Sequence, residues 1–226
     1  MTTRDLTIHN TLLSLPLFQG MTKGELNEVI AKAKFDFEKH PKGKTIIEPE
    51  QTCRGFKFLI SGEIASEKSD TEKKFIFRET HSAPYLIQPE VCFGLHQRYT
   101  RKFTAISKAS LVTFNKNDVL ERFLDFTVFR MNLLNILSQK AQYNARLLDK
   151  PHKSDTKESI KLFFLTNSLH PAGEKTLITR MEDFADHLLT TRSKVSKALN
   201  DLSDEGLIVL KRKEIIVPSL EKLLTI

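Results

Sequence analysis

The side chains best suited to chemistry lie late in the chain, where Thr191, Arg192, Ser193, Ser196, Lys197 and Asn200 fall in one short helical segment. Hydroxyls, a guanidinium, an ammonium and an amide are groups that pair with phosphates and base edges. Val195, Leu199 and Leu202 mark the opposite face, so burying them turns the polar set outward. Thr190 or Thr191 can cap this helix, and Phe184, Ala185, Leu188 and Leu189 fall at helical spacing on a segment before it. Gly206 stops the second helix, and residues 207–210 and 214–217 then alternate as two strands around Lys211, Arg212 and Lys213. Helix, tight connection, second helix and basic hairpin, in that order, predict a winged helix-turn-helix. Arg192, Ser193, Ser196 and Lys197 would meet base edges and phosphates, with Lys211 and Lys213 on the backbone from the wing. The plainer reading is an amphipathic helix pair with a solvated hairpin tip.

Overall charge adds little to this. The formal balance is +7, but residues 151–226 hold 12 Lys and Arg against 11 Asp and Glu. The expectation rests on local segregation. Glu182, Asp183 and Asp186 stand on the first helix, while Arg192, Lys194, Lys197 and the three wing cations face the presumed groove.

Composition excludes several classes. The chain has 226 residues, 40% of them hydrophobic and 28% charged, which suits one large or two modest globular domains. No apolar run approaches the roughly 20 residues that span a bilayer. The opening residues lack a secretory layout, so a cytoplasmic location is expected. Cys53 and Cys92 are too few for a disulfide framework or a four-thiolate cluster. Cys92 reads as a half-buried structural thiol, with oxidant sensing as the alternative. The seven histidines show no metal-ligand spacing, and no phosphate loop, nucleophile elbow or Cys/His dyad occurs. No metal, no cofactor and no enzymatic activity are therefore expected.

The helices and strands around these groups also leave local signals. Residues 12–33 read as short helices, one opening at Thr22 or Lys23. Short β-branched or aromatic runs follow at 45–47, 55–60, 63–66, 74–77, 103–107 and 110–114, split by turns such as Ser61-Gly62. They suggest a sandwich or small barrel. Residues 117–148 then read as one helix, about 45 Å long if unbroken. Phe129, Leu133 and Ile136 form one stripe of it; Leu134, Leu137, Ala141, Asn144 and Leu148 form a second, with coiled-coil steps. Two apolar faces need two partners, and a second copy of the chain supplies the other. The alternative is one wide stripe packed within a monomer. Pro151 ends the helix and makes residues 149–154 a hinge. Asp155 and Glu158 offer a capping box for a helix over 156–168.

Barrel, long helix and winged helix together resemble the cyclic-AMP receptor protein/FNR family of bacterial transcription regulators. The residues that carry the resemblance are Leu15-Pro16-Leu17-Phe18, the strand-turn-strand from Phe56 to Ile64, and Thr190 to Leu199 with Gly206-Leu207-Ile208 after it. It implies an α+β chain: an N-terminal cyclic-nucleotide-binding-like β-barrel (jelly roll) over 1–116, a central dimerisation helix over 117–150, and a winged helix-turn-helix over 151–226. It also implies a homodimer on palindromic double-stranded DNA, a contact with RNA polymerase, and a small-molecule effector. Glu90 would take the ribose carboxylate's place and Arg101 the phosphate arginine's. Two departures argue against cyclic AMP. Pro89 replaces the turn glycine and Lys102 stands where a hydroxyl belongs. One reading is a basic cluster of Arg98, Arg101 and Lys102 for another anion; the other is surface charge over a degenerate cavity. A rival function is a ligand-binding module whose helix-turn-helix serves protein contacts.

Overall fold

The computed structural model describes residues 10–148 and 155–225. The chain divides into two compact units, residues 1–64 with 81–148, and residues 65–80 with 149–226.

In the first unit, residues 10–14 are helical and a 3-10 turn follows at Pro16–Phe18. Helix α1, Lys23–Lys32, opens on a full capping box: Thr22 Oγ1 accepts the Glu25 N–H at 3.3 Å, and Glu25 Oε2 accepts the Thr22 N–H at 2.7 Å. One antiparallel sheet runs β1 (Phe35–His40), β8 (Ala109–Asn115), β3 (Gly55–Ser61), β6 (Tyr85–Ile87). Strand β2 (Thr45–Ile47) pairs antiparallel with β7 (Lys102–Ala105). At the turn between β3 and β4 (Glu63–Ser69), Gly62 has φ +85° and a Cβ there would sit 2.2 Å from the Lys108 carbonyl oxygen, so only glycine fits. The strands expected from sequence are present, several of them longer. Strands β1 and β6 are additional; in β1 Asp36 and Phe37 are exposed side by side while Glu38 is half-buried, so no apolar alternation marks it.

The long helix is shorter than expected. Helical turns at 116–123 give way to a bend at 124–126, and helix α2 runs Thr127–Leu148, about 33 Å. The bend lets two aromatic rings reach one target. Phe123 and Phe129 both pack on Phe18, at 5.9 and 5.3 Å between ring centres, beside Phe114 at 5.4 Å. Asn132 Nδ2 also donates to the Leu17 and Gln19 carbonyls at 3.2 and 2.9 Å, fixing α2 on the N-terminal turn. Phe129 and Leu133 are buried as expected. On the second stripe Leu134, Ala141 and Asn144 are exposed and Leu137 is half-buried. The Leu148 side chain and the hinge at 149–154 lie outside the described residues.

The second unit holds helix α3 (Thr156–Thr166), strand β9 (Lys175–Thr179), helices α4 (Met181–His187) and α5 (Arg192–Asp204), strands β10 (Val209–Lys211) and β11 (Glu214–Val217), and helix α6 (Leu220–Thr225). Asp155 caps α3 through the Lys157 N–H, while Glu158 pairs with Lys161 at 2.9 Å. Strand order is β10-β11-β9-β5-β4, where β5 is Phe75–Ser82. Residues 65–80 thus group with the C-terminal half: Phe75 and Phe77 of β5 enter one core with Phe163, Phe164, Leu177, Phe184, Val195 and Leu199. Strand β9 and helix α6 were not visible in the sequence reading.

Candidate nucleic-acid interface and sensor cassette

Helix α5 is built as its sequence dictates. Val195, Ala198, Leu199 and Leu202 are buried, and the Thr191 hydroxyl caps the start by accepting the Lys194 N–H at 3.4 Å. Burial of that stripe leaves Arg192, Ser193, Lys194, Lys197 and Asn200 exposed, with Ser196 half-buried. Arg192, Ser193, Ser196, Lys197, Asn200 and Asp201 line an open depression of about 590 Å³. Gly206 at φ +71° stops the helix, its N–H donating to the Ser203 carbonyl at 2.9 Å. The wing follows as β10 and β11, with Lys211, Arg212 and Lys213 exposed around its tip and Lys213 at φ +60°. Thus the residues expected to contact DNA stand on one helix and one hairpin of the same unit.

Two details differ from the sequence reading. The acids of the first helix are not wholly apart from the groove face, since Glu182 Oε1 lies 3.3 Å from Arg192 Nε. Leu189, expected on the first helix, follows it at φ +52° and is 92% exposed. Helical spacing alone did not show that the connection needs a left-handed residue there.

The cassette residues are dispersed. Glu90 lies on a 3-10 turn, Pro89–Val91, and faces Lys140 of α2 at 3.6 Å. Arg98 is exposed and its Nη1 donates to the Glu50 carbonyl at 2.8 Å. Arg101 is buried, and Lys102 is half-buried as the first residue of β7. A pair the sequence reading missed sits between them. Gln88, at φ 38°, donates from Nε2 to Thr100 Oγ1 at 2.6 Å and accepts the Thr100 N–H at 3.2 Å. Among the described residues no cluster of three or more His, Cys, Asp or Glu could hold a metal ion. No helix of the described residues is long and apolar enough to cross a membrane.

The Crp-like helix-turn-helix domain family matches residues 162–226. A comparison with curated protein sequences gives no match. Among solved structures the chain is similar to the catabolite activator protein of Thermus thermophilus, at 19% identity and a TM-score of 0.53, over 92% of this chain and 96% of that one. It is similar to the sensor domain of the transcriptional regulator DNR from Pseudomonas aeruginosa at 19% identity and a TM-score of 0.54, over 68% of this chain and 99% of that one. A CooA variant from Carboxydothermus hydrogenoformans matches at 18% identity and a TM-score of 0.50, over 94% of each chain. These likenesses show the fold, and the family match covers the α5 face described above. Residues 162–226 thus form a Crp-like helix-turn-helix domain, carried on a chain whose fold is similar to that of the catabolite activator protein.

Proposed function

We propose that the chain acts in the cytoplasm as a homodimer that reads a palindromic operator through α5 and the β10–β11 wing. The observation that carries this reading is the outward face of α5, where Arg192, Ser193, Ser196 and Lys197 follow the Thr191 cap. Two copies joined along Leu134, Leu137, Ala141, Asn144 and Leu148 place two such faces on half-sites about one DNA turn, ~34 Å, apart. RNA polymerase is the further protein partner, and the chain catalyses no reaction itself. The sensor takes a small-molecule effector other than cyclic AMP. Pro89 removes an amide donor where a cyclic phosphate would be cradled, and Glu90 is already engaged by Lys140. Arg98, Arg101 and Lys102 are the cations of the sensor that would meet an anionic effector, whose binding would act on the operator-reading helices.

Selection from a random duplex pool tests this. The wild-type protein enriches an inverted repeat with affinity that falls steeply with salt. Arg192→Ala relaxes preference at one position per half-site, losing about 1–3 kcal/mol of discrimination. Lys211→Ala or Lys213→Ala weakens all sequences alike and lowers the salt slope by about 1. Failure to enrich any repeat overturns the reading in favour of the rival, a sensor whose helix-turn-helix contacts protein.

A further inference from the structure

Strands β11, β9 and β5 lie side by side, and one end of this sheet gathers cations from distant parts of the sequence. At that end the Thr179 N–H donates to the Lys213 carbonyl at 3.0 Å, and the Thr179 hydroxyl donates to the Lys74 carbonyl at 3.0 Å. Thr179 thus holds the tip of the wing on one side and the start of β5 on the other. Just before β5 the chain turns at residues 70–73, where the Lys73 N–H donates to the Asp70 carbonyl at 3.1 Å and Lys73 sits at φ +53°. The result is one row of exposed basic residues: Lys73 and Lys74 of the β4–β5 turn, Arg180 after β9, and Lys211, Arg212 and Lys213 of the wing. All belong to the same compact unit. The acids among them are engaged. Glu72 Oε2 lies 2.5 Å from Lys74 Nζ, Asp183 Oδ2 accepts from Arg180 Nε at 2.6 Å, and Asp70 Oδ1 accepts the Phe75 N–H at 3.2 Å. Lys73, Lys211, Arg212 and Lys213 make no ion pair among the described residues.

Spacing and position both favour DNA as the partner of this row. Neighbouring strands are about 4.8 Å apart, so the β4–β5 turn stands roughly 10 Å from the wing, two strands away. A DNA strand carries a phosphate about every 3.4 Å of helix axis, so cations roughly 10 Å apart match phosphates about three steps apart. A merely solvated turn could carry its lysines anywhere along the sheet; here Thr179 registers them with the wing tip. We propose that the β4–β5 turn is a second wing, whose Lys73 and Lys74 bind the phosphate backbone of the duplex that α5 reads, beside the contact of Lys211 and Lys213. This site rests on the reading of α5 as the DNA-binding helix, and adds a contact from residues far outside the helix-turn-helix. Glu72, with its side chain 65% exposed, is the group that a phosphate displaces from Lys74, which costs no more than a surface ion pair. Phosphates carry no sequence information, so these lysines set affinity and salt dependence and leave base preference to α5.

Titration of the full-length protein over a series of salt concentrations tests this, with the inverted repeat it selects and an unrelated duplex of equal length. Lys73→Gln combined with Lys74→Gln weakens binding to both duplexes severalfold and by the same factor. It lowers the salt slope by about 2 and leaves the selected sequence unchanged. Glu72→Gln tightens both complexes, because it frees Lys74 and removes a carboxylate from the phosphate's path. Lys222→Gln, which removes one charge from α6 at the opposite end of β11, changes neither. Ethylating a phosphate about three steps from the wing's own contact impairs the wild type but not the double variant. A double variant equal to the wild type in affinity and slope, or an equal loss in Lys222→Gln, overturns the second wing and leaves the α5 reading standing. A wild type that selects no repeat removes both.

Discussion

At the scale of single residues, the most demanding interaction is the ion pair of Glu79 and Lys175, which are 1% and 2% exposed and directly opposed on β5 and β9. Burying two charges costs several kcal/mol each, which a 3.2 Å contact offsets only when the remaining hydrogen-bonding sites are filled. Several are filled here: Glu79 accepts the Leu169 N–H at 2.8 and 3.1 Å, and Lys175 donates to the Ala172 carbonyl at 2.7 Å. Glu79→Gln leaves a buried cation without its counter-charge. It should destabilise the second unit by about 3–5 kcal/mol, read as an earlier urea midpoint for that unit's transition. Adding Lys175→Met should restore most of the loss; a midpoint unmoved by the single change would make the pair energetically idle. The Arg192–Glu182 pair is the opposite case. With side chains 70% and 62% exposed it contributes about 0–1 kcal/mol, so a phosphate displaces Glu182 at little cost. The outward residues of α5 were legible in the sequence because each is defined by its own helix. Glu79 was not, because its partner lies on a strand that no local pattern connects to it.

At the scale of elements, the sequence signals that worked were local ones: the Thr22 and Thr191 caps, the Gly62 turn, the Gly206 stop, and the apolar stripe of α5. Those that failed needed a distant partner or a strained backbone. Strand β9 reads as a lead-in to α4 until β11 and β5 flank it. The bend at 124–126 follows from where Phe18 lies, which spacing within the helix cannot tell. Leu189 is the clearest failure, apolar and in phase with α4, yet held in the left-handed region with its side chain in water. That conformation costs an L-residue roughly 1–2 kcal/mol, and glycine removes the cost while adding chain entropy to the unfolded state. Leu189→Gly should therefore stabilise the second unit by about 0.5–1 kcal/mol and raise its melting temperature by a few degrees without altering DNA affinity. A lower melting temperature would mean that the leucine makes a stabilising contact at the turn.

At the scale of the whole molecule, helix α2 presents more apolar surface than the described residues of one chain cover. Phe129 and Leu133 are spent on the Phe18 cluster, while Leu134 remains 51% exposed, with Leu137 half-buried beside it and Met131 exposed. Leucines at steps of three and four on an uncovered helix face suit a parallel seam against the same face of a second copy, with Asn144 as the lone polar residue that fixes register. Burying such a side chain contributes about 1.5–3 kcal/mol each, so a seam of several of them supports a stable dimer. Leu137→Glu replaces one such contact with two carboxylates facing each other across the two-fold axis, while the Phe18 cluster on the other side of α2 stays intact. The variant should therefore fold and sediment as a monomer at concentrations where the wild type is a dimer. Its affinity for an inverted repeat should fall to that for a single half-site, because the second half-site contact is no longer intramolecular. Sedimentation of an unchanged dimer would remove this face of α2 as the seam and leave the exposure of Leu134 without an account.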